Sequence, residues 1–246
     1  MVHQLAAMPT DWKRALAIVA HPDDLEYGAS AAIATWLDGG RECVYLLATA
    51  GEAGIDTLDP AEAGPLRRRE QQASAAAVGV STVEFLDHAD GVVEYGTALR
   101  RDFAAAIRRH RPELVLTLNH HDTWSWDETV FWNTPDHRAV GRATLDAVAD
   151  AGNRWIFPDL ADEGLVPWDG VRYVAVAGSP HATHAVDATS GLERAVQSLL
   201  CHRTYIEALT KEEPESYCRT FLEGNMKEVA ERFGGRPGVS FELFSR

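Results

Sequence analysis

Two clusters of histidine and carboxylate residues carry the chemistry that this sequence could perform. The first is His21-Pro22-Asp23-Asp24-Leu25-Glu26; the second comprises Asn119-His120-His121-Asp122 and, a short loop later, Thr134-Pro135-Asp136-His137. A catalytic zinc takes three protein ligands from His, Asp or Glu and keeps one position open for water. His21 and Asp24, three apart in one tight turn, can supply two ligands, and His137 can supply the third. Asp23, beside a ligand but facing the other way, is then placed to act as a general base towards a water that the metal acidifies. The same set of two histidines and an aspartate also suits ferrous iron. Taken singly, each piece has a plainer explanation. HPDD can be a strand-to-helix turn with aspartates at the positive end of a helix, and His137 can be a packed or surface histidine. Both clusters follow predicted strands, and together they point to a metal.

Short apolar runs at 15–20, 43–49, 83–87 and 114–119 are too short for helices and nearly continuous, as strands covered on both faces are. Between them, 29–38, 66–78 and 96–110 have helical spacing, with Gly39-Gly40 and Gly79 as stops. This alternation predicts a parallel sheet with right-handed crossovers. Ligands bind such sheets at the carboxyl ends of the strands, where both clusters fall. A helix over 135–150 comes next, then a loop rich in Trp, Pro and Gly from Trp155 to Gly170. Strands at 172–178 and 184–189, helices near 190–210 and 221–232, and a strand near 239–244 complete the pattern. No repeat, low-complexity tract or linker divides the chain. The expectation is one α/β domain over 1–246, a Rossmann-like three-layer fold whose mostly parallel central sheet is flanked by helices, with variable loops and additional helices from about residue 155.

Composition narrows the partners. Among 246 residues, 37 acidic against 23 basic side chains leave a net charge of −14, whereas binding a phosphate backbone needs a cationic stripe. Nucleic acid and anionic membrane surfaces are therefore not expected as partners. No apolar run approaches the roughly 20 residues of a membrane span, and the first residues lack the pattern of a signal peptide. Cys43, Cys201 and Cys218 are widely spaced and odd in number, so a reducing cytoplasm is expected rather than a disulfide framework. Neither G-x-G-x-x-G after the first strand nor G-x-x-x-x-G-K-[ST] is found, and Gly178-Ser179-Pro180 lacks the second glycine of a nucleophile elbow.

The segment AHPDDLEYG, with PDH after a later strand, resembles the LmbE/PIG-L superfamily of zinc-dependent de-N-acetylases. The resemblance extends through Thr49-Ala50-Gly51-Glu52-Ala53-Gly54, similar to a T-x-G-E-x-G segment, and through Arg67-Arg68-Arg69-Glu70 leading to Val78-Gly79-Val80. Asp90-Gly91, Val186-Asp187-Ala188-Thr189 and Leu199-Leu200-Cys201-His202 continue it in order, covering about residues 15 to 205. It implies that His21, Asp24 and His137 are zinc ligands and Asp23 the base, that Arg67 contacts substrate, and that Asp90 contacts a sugar hydroxyl. The substrate it implies is a small N-acylated molecule such as an amino-sugar conjugate. Read without the resemblance, Arg67 is a solvated arginine, although the positive end of a helix is a poor place for one, and Asp90 is a turn residue.

One departure matters. The usual second motif of the superfamily is H-P-D-H, and its first histidine is thought to stabilise the oxyanion or protonate the leaving amine; Thr134 stands there instead. The Thr-Pro-Asp order suits a helix start, but a threonine hydroxyl cannot supply an imidazolium, and losing one oxyanion donor typically costs about 10²–10³ in rate. Asp136, which orients that histidine in the superfamily, is expected to have lost its partner. His120, in preference to His121, is the candidate replacement, set against the plainer reading that both decorate a loop. The alternative function is a metal- or sugar-binding protein derived from a deacetylase. Trp124, Trp126 and Trp132 belong to a long insertion, read as packing in preference to a sugar-stacking surface.

Overall fold

The computed structural model describes residues 4–126 and 129–246. Nearly continuous apolar runs form β2 (Arg14–Val19), β3 (Glu42–Leu47), β4 (Thr82–Phe85) and β5 (Leu114–Leu118), preceded by a short β1 (Ala6–Ala7). Helices α1 (Asp24–Gly28), α2 (Ser30–Asp38), α3 (Pro60–Val78) and α4 (Thr97–His110) connect them. The second half comprises β6 (Thr123–Trp126), β7 (Thr129–Trp132), α5 (Pro135–Gly152), β8 (Tyr173–Ala177), β9 (His184–Asp187), α6 (Leu192–Leu200), α7 (Arg203–Leu209), α8 (Pro214–Arg232) and β10 (Gly238–Ser245).

The central sheet has the order β1-β9-β10-β8-β5-β2-β3-β4. Its pairings are parallel except where β10 inserts antiparallel between β8 and β9. Strand alternation divides the core into two layers. Ala15, Ala17 and Val19 of β2 face one way with Ile33 and Trp36 of α2 and Val78 of α3. Leu16 and Ile18 face the other way with Phe103 and Ile107 of α4 and Val140 and Ala147 of α5. The result is the expected mixed α/β architecture, a large and mostly parallel sheet flanked by helices.

Several boundaries differ from the sequence expectation. Helix α3 begins at Pro60, where the Asp59 side chain accepts the Ala61 N–H at 2.8 Å. Pro65, the sixth residue of the helix, lacks the N–H that would reach the Ala61 carbonyl, so one ladder bond is missing there. The helix expected near 190–210 is broken at Cys201 and His202 into α6 and α7. Helix α8 starts earlier than expected, at Pro214, capped by Glu213. The Trp-rich insertion forms an antiparallel hairpin, β6–β7; the side chain of Trp126, and residues 127 and 128, lie outside the described residues. Among the described residues, no helix is long and apolar enough to cross a membrane.

Candidate metal centre

Strands β2 and β5 are neighbours, although the chain leaves β2 towards β3 on its other side. This change of direction opens a crevice at their carboxyl ends. The turn after β2 delivers His21, Asp23 and Asp24 into it, and the N-terminus of α5 delivers His137. Thr134 starts that helix as its N-cap, accepting the His137 N–H at 3.2 Å, with Pro135 as the first helical residue.

Three atoms converge: His21 Nδ1, His137 Nε2 and Asp24 Oδ1. The two nitrogens are 3.2 Å apart, His137 Nε2 is 3.0 Å from Asp24 Oδ1, and His21 Nδ1 is 3.6 Å from the same oxygen. A tetrahedral ion with donors at about 2.1 Å sets them about 3.4 Å apart. Hydrogen-bond logic gives these atoms their character. Asn133 donates through Nδ2 to the carbonyls of Asn119 and His121, at 2.8 and 2.9 Å, so its Oδ1 must be the acceptor facing His137 Nδ1 at 3.0 Å. His137 therefore carries its proton on Nδ1 and turns the Nε2 lone pair to the crevice. His21 Nε2 faces two carboxylates, Asp90 at 3.1 Å and Asp136 at 3.2 Å, and so carries the proton there, leaving Nδ1 as a lone pair. Asp24 Oδ2 accepts the backbone N–H groups of Ala20 and His21, at 3.0 and 2.9 Å, which aims Oδ1 at the histidines. Three lone pairs facing one another repel unless a cation lies between them. The donor set therefore fits a metal ion.

The electrostatics show what balances the cluster when no ion is bound, which is a second proton on His21. Burial opposes ionisation of Asp24, but His137 and His21 hold its carboxyl well below the usual carboxylate range. Burial likewise works against a charged His21, yet Asp24, Asp136 and Asp90 raise its pKa well above the ordinary value.

Asp23 is buried and has φ +93°, a left-handed conformation costing a non-glycine residue about 1–3 kcal/mol. Its N–H donates to Gln71 Oε1 at 3.0 Å. Arg67 Nη2 donates to Asp23 Oδ2 at 2.7 Å and to the Pro22 carbonyl at 2.6 Å. Burial pushes the Asp23 carboxyl up to about 6 against the pull of the Arg67 guanidinium. Arg67 itself is 2 % exposed, not solvated, and lies across the Tyr205 ring at 4.3 Å. The glycines of TAGEAG make room for it: a Cβ on Gly51 would stand 2.5 Å from Nη1, and one on Gly54 would also collide with it.

The structure brings His21, Asp23, Asp24, Arg67, Asp90, Thr134 and His137 to one cavity, with Asp136 directly behind His21. Asp136 has not lost its partner: it holds His21 and accepts the N–H groups of Gly91 and Val93, at 2.7 and 3.0 Å. His120 does not line that cavity. Its Cβ packs on Gly141 of α5, its ring lies tilted against that of His121 with centroids 4.3 Å apart, and its Nδ1 is buried without a hydrogen-bond partner. Burial and the neighbouring His121 push its pKa down to about 4, so it stays neutral near pH 7. Of the insertion, Trp124 lines the cavity, its ring 5.9 Å from His137, while Trp132 is exposed beside Arg138.

Sequence reasoning gave no role to Asn133, Gln71, Glu26 or Glu52. Glu52 bridges two loops, accepting the N–H groups of Ala50 and Asp90. Only Asn133, directly before the Thr-Pro-Asp-His run, offered a signal, since a residue four before a ligand can reach back to its other ring nitrogen.

Comparison with known proteins extends beyond geometry. The PIG-L model, described as GlcNAc-PI de-N-acetylase, matches residues 16–148. A diacetylchitobiose deacetylase of Thermococcus kodakarensis is 32% identical over 85% of this chain and 76% of its own. A 1D-myo-inositol 2-acetamido-2-deoxy-alpha-D-glucopyranoside deacetylase of Kineococcus radiotolerans is 29% identical over 63% of this chain and 49% of its own. Among solved structures, N,N'-diacetylchitobiose deacetylase from Pyrococcus horikoshii, complexed with an inhibitor, superposes with a TM-score of 0.83 at 25% identity, covering 96% of this chain and 85% of that one.

Proposed function

The chain belongs to the PIG-L family of GlcNAc-PI de-N-acetylases, and from this premise we propose that it hydrolyses the N-acetyl, or more broadly N-acyl, group of an amino-sugar conjugate. The observation that carries this reading is the convergence of the His21, His137 and Asp24 lone pairs beside a buried carboxylate, Asp23. The names of the Thermococcus and Kineococcus relatives support an acetamido sugar as the substrate class.

His21, Asp24 and His137 would hold zinc, or ferrous iron. When bound, such an ion polarises the amide carbonyl and acidifies water. Asp23 takes the proton of the attacking water and returns it to the nitrogen as the C–N bond breaks, giving a free amine and a carboxylate. Arg67 holds Asp23 in place and charged. Asp90 and Asp136 fix the His21 ring, and Asn133 fixes the His137 ring, which keeps the donors aimed. Thr134 presents a neutral hydroxyl at the cavity wall.

Elemental analysis and an amine-release assay test the reading together. Wild type is expected to bind about one metal per chain and His137→Ala to lose it. Asp23→Asn is expected to keep the metal and lose nearly all turnover. Full activity in Asp23→Asn would remove the assigned base. The second reading, a binding protein derived from a deacetylase, follows from Thr134; bound metal and bound sugar without amine release would favour it.

A further inference from the structure

The donor group occupies one end of a cavity of about 540 Å³, in the range that encloses a drug-sized ligand and far larger than an acetyl group needs. The two ends differ in character. Arg67 and Asp90 line the end beside Asp23, whereas the long remainder runs past Leu118 of β5 to Phe221, Met226 and Val229 of α8 and Val239 of β10. Met226 and Val229, three apart, are neighbours on one face of the helix, and Asn225 is the polar residue between them and Phe221 that also lines the cavity. Opposite them, the wall is made of small residues, Gly28, Ala29 and Ala31, and Gly28 lies so close to β5 that a Cβ there would stand 2.8 Å from Leu118 Cδ1. The exposed Glu228 lines the rim.

An N-acylated amino sugar has this same asymmetry about its amide, with hydroxyls on the amine side and alkyl on the carbonyl side. Resting on the amide-hydrolase reading, we propose that the apolar arm along α8 receives the alkyl tail of the acyl group, and that the preferred substrate carries an N-acyl chain longer than acetyl. An acetyl substrate leaves the arm filled with water against aliphatic side chains. Each further methylene displaces that water and gains roughly fourfold in kcat/KM until the chain reaches the rim.

The test measures amine release by the metal-loaded protein from N-acyl glucosamines, acetyl through octanoyl. A parallel series of N-acetylglucosamine glycosides carries the same alkyl chains on the anomeric oxygen. The expected result is a rise in kcat/KM along the acyl series alone, with Val229→Trp or Met226→Trp lowering the octanoyl-to-acetyl ratio at least tenfold. Acetyl hydrolysis with no gain along the acyl series would overturn the arm and leave the hydrolase reading standing. A gain along the glycosides alone would assign the arm to the aglycone and overturn it equally. If no compound releases amine, the hydrolase reading fails by itself. Calorimetric binding then decides the arm: tighter binding of octanoyl- than acetyl-glucosamine sustains it, and equal binding overturns it.

Discussion

At the scale of single residues, the state of each histidine is set by a neighbour outside the His21, Asp24 and His137 trio. Asn133 fixes the proton on His137 Nδ1 because its own amide is pinned by two carbonyls. Partners of this kind are typically worth 10–100-fold in metal affinity. Asn133→Leu is therefore expected to weaken metal binding by about that factor, measured by competition with a chromophoric chelator, and unchanged affinity would show that the ring needs no such anchor. Asp136 illustrates how one substitution misleads a reading made from residue types. With Thr134 in the place of a histidine, Asp136 looked stranded, yet it is satisfied by His21 and by two backbone N–H groups from a distant loop.

At the scale of elements, α3 works as a brace under the turn after β2. Gln71 accepts the Asp23 N–H and donates to Glu26 Oε1 at 2.9 Å, and the Ser74 hydroxyl donates to the same oxygen at 2.6 Å. Glu26 and His202, on α1 and before α7, lie 3.6 Å apart and are fully buried. This chain of contacts holds Asp23 in its left-handed backbone. Gln71→Met is expected to lower kcat at least tenfold with metal content and KM little changed, and the exchange Gln71→Glu with Glu26→Gln to restore part of the loss by reversing the donor. Equal kcat in Gln71→Met would show that the turn holds itself.

The strands and the turn that carries His21, Asp23 and Asp24 were legible because apolar runs and HPDD are local signals. The brace was not, since Gln71 reads as an ordinary helix residue until α3 is laid beside α1. The hairpin β6–β7 was missed for a related reason: its exposed Val130, Phe131 and Trp132 show no core-facing alternation. His120 sat at the expected strand end, but sequence cannot say to which side of the sheet a loop histidine turns, and this one packs against α5.

At the scale of the whole molecule, buried carboxylates couple stability to pH. Burial raises the pKa values of Asp24, Glu26, Asp90, Asp136 and Glu242, but facing histidines, hydroxyls and N–H groups prevail and leave all five lowered. Their contribution is complete above the ordinary carboxylate values near 4 and is lost as pH falls through the lowered ones. His21, raised well above its ordinary value, stays charged throughout that range and adds no slope, while Asp23, raised to about 6, and His120, lowered to about 4, give opposite slopes between those values that offset each other. In the presence of chelator, so that metal release contributes nothing, Tm is expected to hold from pH 6 to about 5 and to fall steeply below about 4. A flat Tm to pH 3 would contradict the assignment.

The insertion of β10 between β8 and β9 has a consequence for the way the molecule is made. Strands β9 and β1 pair with each other and join the rest of the sheet through β10 alone, and β10 leaves the ribosome after every other element described. During synthesis the nascent chain therefore carries a two-stranded flap with no partner and an open edge on β8. Glu242, which takes hydrogen bonds from His121 and Ser179 at the cavity side, arrives with that final strand. Closure of the sheet and completion of the cavity wall are thus one event, and a protease meets this chain either before both or after both.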